Sequence, residues 1–352
     1  MMLEMFSEDT LVAGVGLLGG MLLGLAARIG RFCTLGAIED VFYAESTLRL
    51  RMWGIAIGVA IIGSFGLSAI GFLHLEETLY LSRGWAPVAS IVGGLLFGYG
   101  MALAGNCGYG ALARLGGGDL RSFVIVLVMG VSAYIALGGP LAALRVWLFP
   151  QQELPSEMPS IAVSVSRLTG QSTEVIGISI GILMVAGTLA HTEFRRSFTH
   201  VFWGLIAGVA IVIGWAGTQW LASNGFEATP VVSHTFSAPI GETMLYVMTS
   251  SGNSIGFGTG SVVGVLLGAF IGSVFKGHFR WEACDDPREL RRQILGAFLM
   301  GIGAVVAIGC SVGQGLSAFS LLAYSAPVTF ISILVGAAAG LKQLMLGFAP
   351  SS

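Results

Sequence analysis

Charged residues are scarce in this sequence: Asp, Glu, Lys and Arg make up 10% of the 352 residues, whereas hydrophobic residues make up 55%. Water-soluble globular domains contain about 25% charged residues, so the composition excludes that class. It predicts an integral membrane protein whose surroundings are the lipid bilayer. The net charge of −2 gives no electrostatic basis for binding nucleic acid, and no nucleic-acid partner is expected.

Several common functional motifs are also missing. The four cysteines contain no CxxC pair, which argues against a dithiol redox site. No Walker sequence is present, and GGGDLRS (116–122) lacks the GK[ST] of a phosphate loop, so we expect neither direct ATP use nor a cofactor. The first 27 residues hold no Lys or Arg, so the opening apolar run lacks the basic start of a signal peptide and is predicted to be a retained span.

Long apolar runs dominate what is present. A helix needs about 20 apolar residues to cross the bilayer core, and nine stretches qualify: 10–27, 52–73, 87–104, 121–139, 173–190, 201–222, 256–275, 292–308 and 326–346. Four apolar pieces are too short to span and are predicted to be re-entrant helices: Thr34–Tyr43, Gly108–Leu115, Pro239–Ser250 and Val312–Ala323. The predicted fold is an all-α membrane protein with one domain over residues 1–352.

The basic residues predict its orientation. With the N-terminus outside, 14 of the 17 Lys and Arg residues fall in one set of loops. The opposite set holds only Arg83, Arg145 and Arg167. Because basic residues accumulate on the cytoplasmic side, we expect a periplasmic N-terminus and a cytoplasmic C-terminus.

One glycine-rich frame ending in cysteine recurs along the chain. GLLFGYGMALAGNCGYG (94–110) and AFLMGIGAVVAIGCSVG (297–313) superpose at a shift of 203 residues, which places Cys107 on Cys310. A weaker copy, GGMLLGLAARIGRFCTLGA (19–37), places Cys33 on Cys107. Five predicted crossings separate the two best copies, so they run in opposite directions. We therefore predict an inverted pseudo-two-fold repeat with halves at about 10–150 and 173–346. Packing alone explains the glycines but not a cysteine at the same position three times.

Each of these cysteines precedes a short helix. A helix N-terminus offers unpaired backbone N–H groups and a positive dipole end, which suit an anion. Glycines let a ligand approach that backbone closely, and uncharged polar side chains add hydrogen bonds. The predicted substrate-binding residues are Cys33, Thr34, Asn106, Cys107, Gly108, Gly309, Cys310, Ser311 and Gln314. The alternatives are cysteines that only fill gaps in the core and a soft-metal site, for which histidine and carboxylate support is thin, so no metal is expected.

Other polar residues near the short pieces have weaker interpretations. His234 precedes a short helix and suits a local hydrogen bond or a gate. Glu242 follows Pro239 and is interpreted as a cap for that helix, although it also belongs to the candidate substrate path. Cys284 lies in the hydrophilic loop WEACDDPRELRR and is expected to be an ordinary thiol.

The motifs RFCTLGAIED, AGNCGYGALARLGGGDLRS and AIGCSVGQGLSA, with their order and separation, resemble the YeeE/YedE family of bacterial inner-membrane sulfur transporters. The resemblance covers nearly the whole chain. It implies an hourglass-shaped fold and uptake of thiosulfate or a related sulfur oxyanion. It also implies that Cys33, Cys107 and Cys310 relay the anion by S–H hydrogen bonds, and that a TusA-like sulfur carrier acts at the cytoplasmic face.

We therefore predict a transporter rather than an enzyme. Two alternatives remain open from the sequence alone. A membrane sulfurtransferase would form a persulfide on one of the reactive cysteines, and a passive anion channel would share every feature given above. A heavy-metal transporter is a third, less supported alternative.

Overall fold

The computed structural model describes residues 7–150, 158–226, 228–283 and 286–347. Helices account for nearly all of the regular structure in these ranges, and the only β pairing there is three isolated bridges. The α-helices are α1 (Glu8–Arg28), α2 (Thr34–Tyr43), α3 (Leu48–Ala69), α4 (Pro87–Ala104), α5 (Gly108–Gly116), α6 (Leu120–Leu137), α7 (Ala142–Leu148), α8 (Ile161–Thr169), α9 (Thr173–Leu189), α10 (Thr192–Arg196), α11 (Phe198–Asn224), α12 (Ser237–Thr249), α13 (Phe257–Phe275), α14 (Pro287–Val306) and α15 (Ser325–Gly347). A π-helix (Gly313–Ala318) lies between α14 and α15. Cys284 falls outside the described residues.

Seven helical segments in the described ranges are long and apolar enough to cross a membrane, or eight if the bent pair α8 and α9 counts as one. The protein is therefore a multi-pass membrane protein. Of the other predicted spans, α9 has 17 residues and meets α8 at 114°. Helix α14 carries Arg288, Glu289, Arg291 and Arg292 in its first two turns, which lowers its apolar character. The count of nine spans stays a prediction.

The four predicted short pieces are all helical. Helix α2 has the predicted bounds, α5 and α12 differ from them by at most two residues at either end, and the fourth piece contains the π-helix. Helices α4 and α5 together form one candidate span of 30 residues, Pro87–Gly116, with a break inside it. At that break Gly105 adopts a left-handed φ of 74°, which favours glycine. The chain between α14 and the π-helix has two left-handed residues, Ile308 and Gly309, with φ of 54° and 151°.

Helices α4 and α14 cross with backbone against backbone. A Cβ added at Gly93 would lie 2.7 Å from Gly303 O, and one added at Gly100 would lie 2.6 Å from Gly296 O. Since residue 93 pairs with 303 while residue 100 pairs with 296, the two helices run antiparallel. The shift of 203 residues carries 93 to 296 and 100 to 303, so it converts each contact into the other.

The neighbours of these helices follow the same exchange. A Cβ at Gly98 of α4 would overlap Ile333 O of α15, and a Cβ at Gly301 of α14 would lie 2.6 Å from Met129 O of α6. The shift carries Gly98 to Gly301 and Met129 to position 332, next to Ile333. Thus α4 packs on α15 in the way that α14 packs on α6.

Candidate functional site

Cys107 and Cys310 make the same local hydrogen bond at the two breaks. Cys107 is the N-cap of α5, and its sulfur accepts from the Gly110 N–H at 3.3 Å. The Cys310 sulfur accepts from the Gly313 N–H at 3.5 Å. Each thiol thus stands at the start of a helical segment, where backbone N–H groups and the positive end of the dipole favour an anion. Both side chains are buried, at 0% and 1% exposure.

Cys33 completes the group of thiols. It is the N-cap of α2, its side chain makes no capping hydrogen bond, and it is partly exposed. Cys107 lies within electrostatic range of both Cys33 and Cys310. The three predicted cysteines, which come from three separate breaks in the chain, therefore converge in one region.

Three polar groups beside the thiols are buried without a regular hydrogen bond. They are Thr34 Oγ1, Ser311 Oγ and Gln314 Oε1, and their residues are 1%, 0% and 0% exposed. Ser311 faces the Cys107 thiol. Buried polar groups almost always have partners. The Thr34 hydroxyl is therefore available to a ligand or to water, whereas the Ser311 hydroxyl already faces the weak Cys107 thiol.

The other predicted residues at the breaks have structural contacts. Gln314 Nε2 donates to the carbonyl oxygens of Ala307 and Ile308 at 2.8 and 3.0 Å, which holds the break beside Gly309. A Cβ on Gly108 would meet the Met129 side chain at 2.4 Å, so a larger residue does not fit without a shift. Asn106 is 2% exposed and lies on the wall of the larger cavity described below.

His234 joins several elements, and among the described residues none of its hydrogen bonds involves a thiol. Its ring is fully buried, its Nδ1 lies 2.6 Å from Ser261 Oγ of α13, and its carbonyl accepts from Ser317 Oγ at 2.6 Å. Ser317 belongs to the π-helix that follows Cys310. Both partners are distant in the sequence rather than local, and the hydrogen bond from Ser317 ties the segment before α12 to the helix that follows Cys310.

The capping interpretation of Glu242 is wrong. Helix α12 begins at Ser237, two residues before the predicted piece, so Glu242 lies in the second turn, beyond the N–H groups that a cap satisfies. Its carboxylate lies beside Gly258 at the start of α13.

Sequence reasoning missed two residues beside Cys310. Thr235 Oγ1 lies 3.7 Å from the Cys310 sulfur. A Cβ on Gly313 would lie 2.5 Å from Thr235 Oγ1 and 3.0 Å from the Tyr80 hydroxyl, so both groups border the first turn after Cys310. Tyr80 follows a short 3₁₀-helix far away in the sequence, and no local pattern marks it.

Aromatic rings enclose the region of the thiols. Tyr109, two residues after Cys107, packs on Phe236 and Phe32 with ring centroids 5.3 and 6.5 Å apart. Phe32 in turn stacks on Trp53 at 4.5 Å. All four rings are buried. The four rings exclude water from the region of the thiols, and polar interactions in that region are therefore stronger than in water.

Two cavities of very different size approach the thiols. The larger, which we call the vestibule, has a volume of about 620 Å³ and includes Cys33 and Asn106 in its wall. The smaller has a volume of about 30 Å³ and is bordered by Tyr80, Arg83 and Gln314. Neither cavity is lined by Cys107 or Cys310. The vestibule lies on the side where the sequence predicts the cytoplasm, and Arg83 belongs to the predicted periplasmic set.

The metal alternative gains no support from the described residues, where no three His, Cys, Asp or Glu side chains come together as ligands. The donors around the thiols are mainly N–H and O–H groups. Such a set suits an anion better than a cation.

Comparisons with known proteins agree with this chemistry. The chain is 26% identical over 337 residues to the thiosulfate transporter TsuA of Escherichia coli, covering 91% of each chain. It is also 26% identical over 336 residues to the thiosulfate transporter TsuA of Spirochaeta thermophila, covering 91% of this chain and 96% of the relative. The probable transporter YedE of Escherichia coli matches over a shorter stretch, with 31% identity over 101 residues.

These relatives are named transporters, which supports the prediction of a sulfur-compound membrane transporter rather than an enzyme. The family model described as sulphur transport matches residues 29–339, nearly the whole chain and all three cysteine motifs. The protein therefore belongs to the sulphur transport (YeeE/YedE) family.

Proposed function

We propose that this protein takes up thiosulfate, or a closely related sulfur oxyanion, across the bacterial inner membrane into the cytoplasm. Two relatives that match along most of their length are named thiosulfate transporters. The observation that carries the proposal is the convergence of Cys33, Cys107 and Cys310, each at a helix start, in the region between the vestibule and the smaller cavity. Thiosulfate suits this site because its terminal sulfur is soft and its oxygens accept N–H bonds.

In the proposed mechanism the anion passes from Cys310 to Cys107 and then to Cys33. Each thiol donates a weak S–H hydrogen bond, so no station holds the anion too tightly to release it. The hydroxyl groups of Thr34 and Ser311 donate to its oxygens, because Thr34 Oγ1 is buried without a partner and Ser311 Oγ faces only the weak Cys107 thiol. Backbone N–H groups at the helix starts replace the lost hydration. Asn106, Gly108, Gly309, Gln314, His234 and Glu242 complete the proposed path.

We further propose that the path is built on an inverted repeat within one transmembrane domain. The contacts of Gly93 with Gly303 and of Gly100 with Gly296 support it, because the shift of 203 residues exchanges them. A contact in which residue i meets j and j meets i is the signature of a two-fold axis. In such an arrangement Cys107 and Cys310 are equivalent positions of the two halves.

The alternatives from the sequence are less well supported. In a passive channel we expect a continuous opening past the thiols, whereas neither Cys107 nor Cys310 lines the vestibule or the smaller cavity. A sulfurtransferase would break the S–S bond of thiosulfate and retain one sulfur as a persulfide. The cytoplasmic face is also proposed to receive a TusA-like sulfur carrier, on the family resemblance alone, and a pull-down with that carrier tests it.

Proteoliposomes test the proposed function directly. Thiosulfate labelled on both sulfurs is offered outside, and the interior is analysed for intact thiosulfate, with labelled sulfate as the competitor. The proposal expects intact, doubly labelled thiosulfate inside and slower entry of sulfate. Single-labelled sulfite outside and a persulfide on the protein would support the sulfurtransferase. Equal rates for both anions would support the channel.

A further inference from the structure

The vestibule is lined by an excess of positive charge. Its wall carries five arginines and two glutamates: Arg28, Arg31, Arg49, Arg114, Arg280, Glu39 and Glu282. A concave surface with one sign of charge concentrates ions of the opposite sign. Cys33 and the first turn of α2 lie in the same wall, so this charge stands next to the last thiol of the proposed path.

Arg49 is held in place over that first turn. Its Nε donates to Asp40 at 2.8 Å, and both side chains are about three-quarters buried. A Cβ added to Gly36 would lie only 2.1 Å from Arg49 Nη1. Asp40 therefore holds the Nε edge of the Arg49 guanidinium, and Nη1 of the same group lies against the first turn of α2. A glycine at position 36 makes this approach possible.

Arg114 faces the same space without an ion-pair partner. Among the described residues Arg49 pairs with Asp40, and Arg121 and Arg280 pair with Glu282, whereas Arg114 makes no ion pair. Arg28 is engaged with Ser273 and the His278 carbonyl. Arg114 is exposed in the wall and available to an anion.

Glu39 is the opposing charge. It lines the vestibule and lies within electrostatic range of Arg114, Arg49 and Asp40. Burial raises the pKa of Glu39, and the two arginines only partly offset that effect. Its carboxyl group thus titrates above the usual range, while Asp40 keeps its ion pair with Arg49.

We propose that Arg49, Arg114 and the first turn of α2 form an inner binding site for a doubly charged sulfur oxyanion, and that Glu39 competes with the anion for these arginines. The ionised carboxylate weakens the hold on the anion and promotes release into the cytoplasm. The protonated carboxyl permits tighter binding. Since guanidinium groups recognise oxyanion charge rather than soft sulfur, the site accepts sulfate as well as thiosulfate.

Selection for thiosulfate then belongs to the buried thiols. This inference rests on the proposed function only for the direction of travel, because anion binding in the vestibule does not require uptake. The proposed anion site and the proposed uptake function can therefore fail separately.

Modification of Cys33 tests the site in the purified full chain. In a Cys284→Ser background, rates of labelling at Cys33 are measured with an anionic and a cationic methanethiosulfonate reagent of similar size. The ratio of the two rates reports local potential, and the thiolate fraction cancels in it. We expect the anionic reagent to react faster, and sulfate alone to slow both reagents by occupying the site.

Variants show which charged residues determine the potential at Cys33. A nearby unit charge in water changes each rate about twofold in opposite directions, so Arg114→Gln should lower the ratio about fourfold and weaken protection by sulfate. The matched control Arg195→Gln, an exposed arginine of α10 outside the vestibule wall, should leave both unchanged. An unchanged ratio in Arg114→Gln, or no protection by sulfate in the parent, overturns the proposal.

Dependence on pH is used to separate Glu39 from two histidines, His278 in the vestibule wall and His200 within electrostatic range of Arg49, Asp40 and Arg31. The ratio should fall as pH rises in the parent, because the Glu39 carboxylate forms, and should be higher and flatter in Glu39→Gln. Both histidines are removed in turn, and His278→Gln and His200→Gln are measured in parallel with Glu39→Gln. A slope that disappears in either histidine variant and persists in Glu39→Gln refutes the role of Glu39, whatever the uptake assay gives.

Discussion

Removing one buried thiol should reduce transport by at least about tenfold while the protein still folds. The change is Cys107→Ala or Cys310→Ala, each made alone. Both side chains are buried and each sulfur accepts one backbone N–H, at 3.3 and 3.5 Å. Loss of one heavy atom from a packed site and of one weak hydrogen bond costs about 1–2 kcal/mol. That is small beside the stability of about 5–15 kcal/mol typical of folded proteins.

The effect on transport should be much larger. At the narrow part of the path the anion has lost its water, so a missing donor is not replaced. Hydrogen bonds to charged groups contribute about 1.5–3 kcal/mol, and each 1.36 kcal/mol corresponds to a factor of ten in rate. Uptake should therefore fall about 10- to 150-fold at either position. Removal of one sulfur atom should therefore reduce the transport rate strongly while it changes the free energy of unfolding only slightly.

The assay is uptake of labelled thiosulfate into proteoliposomes, with detergent melting curves of each variant beside it. Cys284→Ala serves as the matched control and should transport normally. Wild-type uptake in both Cys107→Ala and Cys310→Ala would refute the relay. Loss of the melting transition in either variant would refute the claim that the thiols are mainly functional, because the protein would then no longer fold.

Two further predictions concern packing and the outer side of the path. Gly303→Ala places a methyl group 2.8 Å from Gly93 O and should destabilise the protein by about 1–3 kcal/mol. The control Gly66→Ala meets no atom within 4 Å and should be neutral or stabilising. Equal melting temperatures of the two variants would contradict the close crossing of α4 and α14. Thr235→Val removes the hydroxyl 3.7 Å from the Cys310 sulfur and should slow uptake roughly fivefold, the value of one neutral hydrogen bond, without changing the melting temperature. Unchanged uptake would show that this hydroxyl does not act on the substrate.

The sequence predicts this molecule best where local chemistry decides the structure. The bounds of α2 and the helix starts after Cys107 and Cys310 follow from glycine, cysteine and apolar residues within a few positions of one another. Repetition of the frame also predicted that the two thiols have equivalent surroundings, and their hydrogen bonds to Gly110 and Gly313 agree.

What the sequence could not predict depends on distant residues or on small shifts. Tyr80 and Thr235 reach the first turn after Cys310 only through the tertiary fold. A shift of two residues at the start of α12 moved Glu242 out of capping range. The ion pair that holds Arg49 above Gly36 joins two helices, and no spacing rule within either one predicts it.

The unequal cavities have an electrical consequence. In the proposed orientation a water-filled vestibule would carry the cytoplasmic potential as far as Cys33 and Asn106, so the membrane voltage would fall mainly across the short segment from there to Gln314. One elementary charge crossing 100 mV exchanges about 2.3 kcal/mol with the field, so a divalent anion entering a cell that is negative inside works against about 4.6 kcal/mol. On the proposed path that opposition would be concentrated on the transfer from Cys310 to Cys107. Uptake by this path would then require a cytoplasmic reaction that removes the anion as it arrives in the vestibule, or a second ion that moves with it.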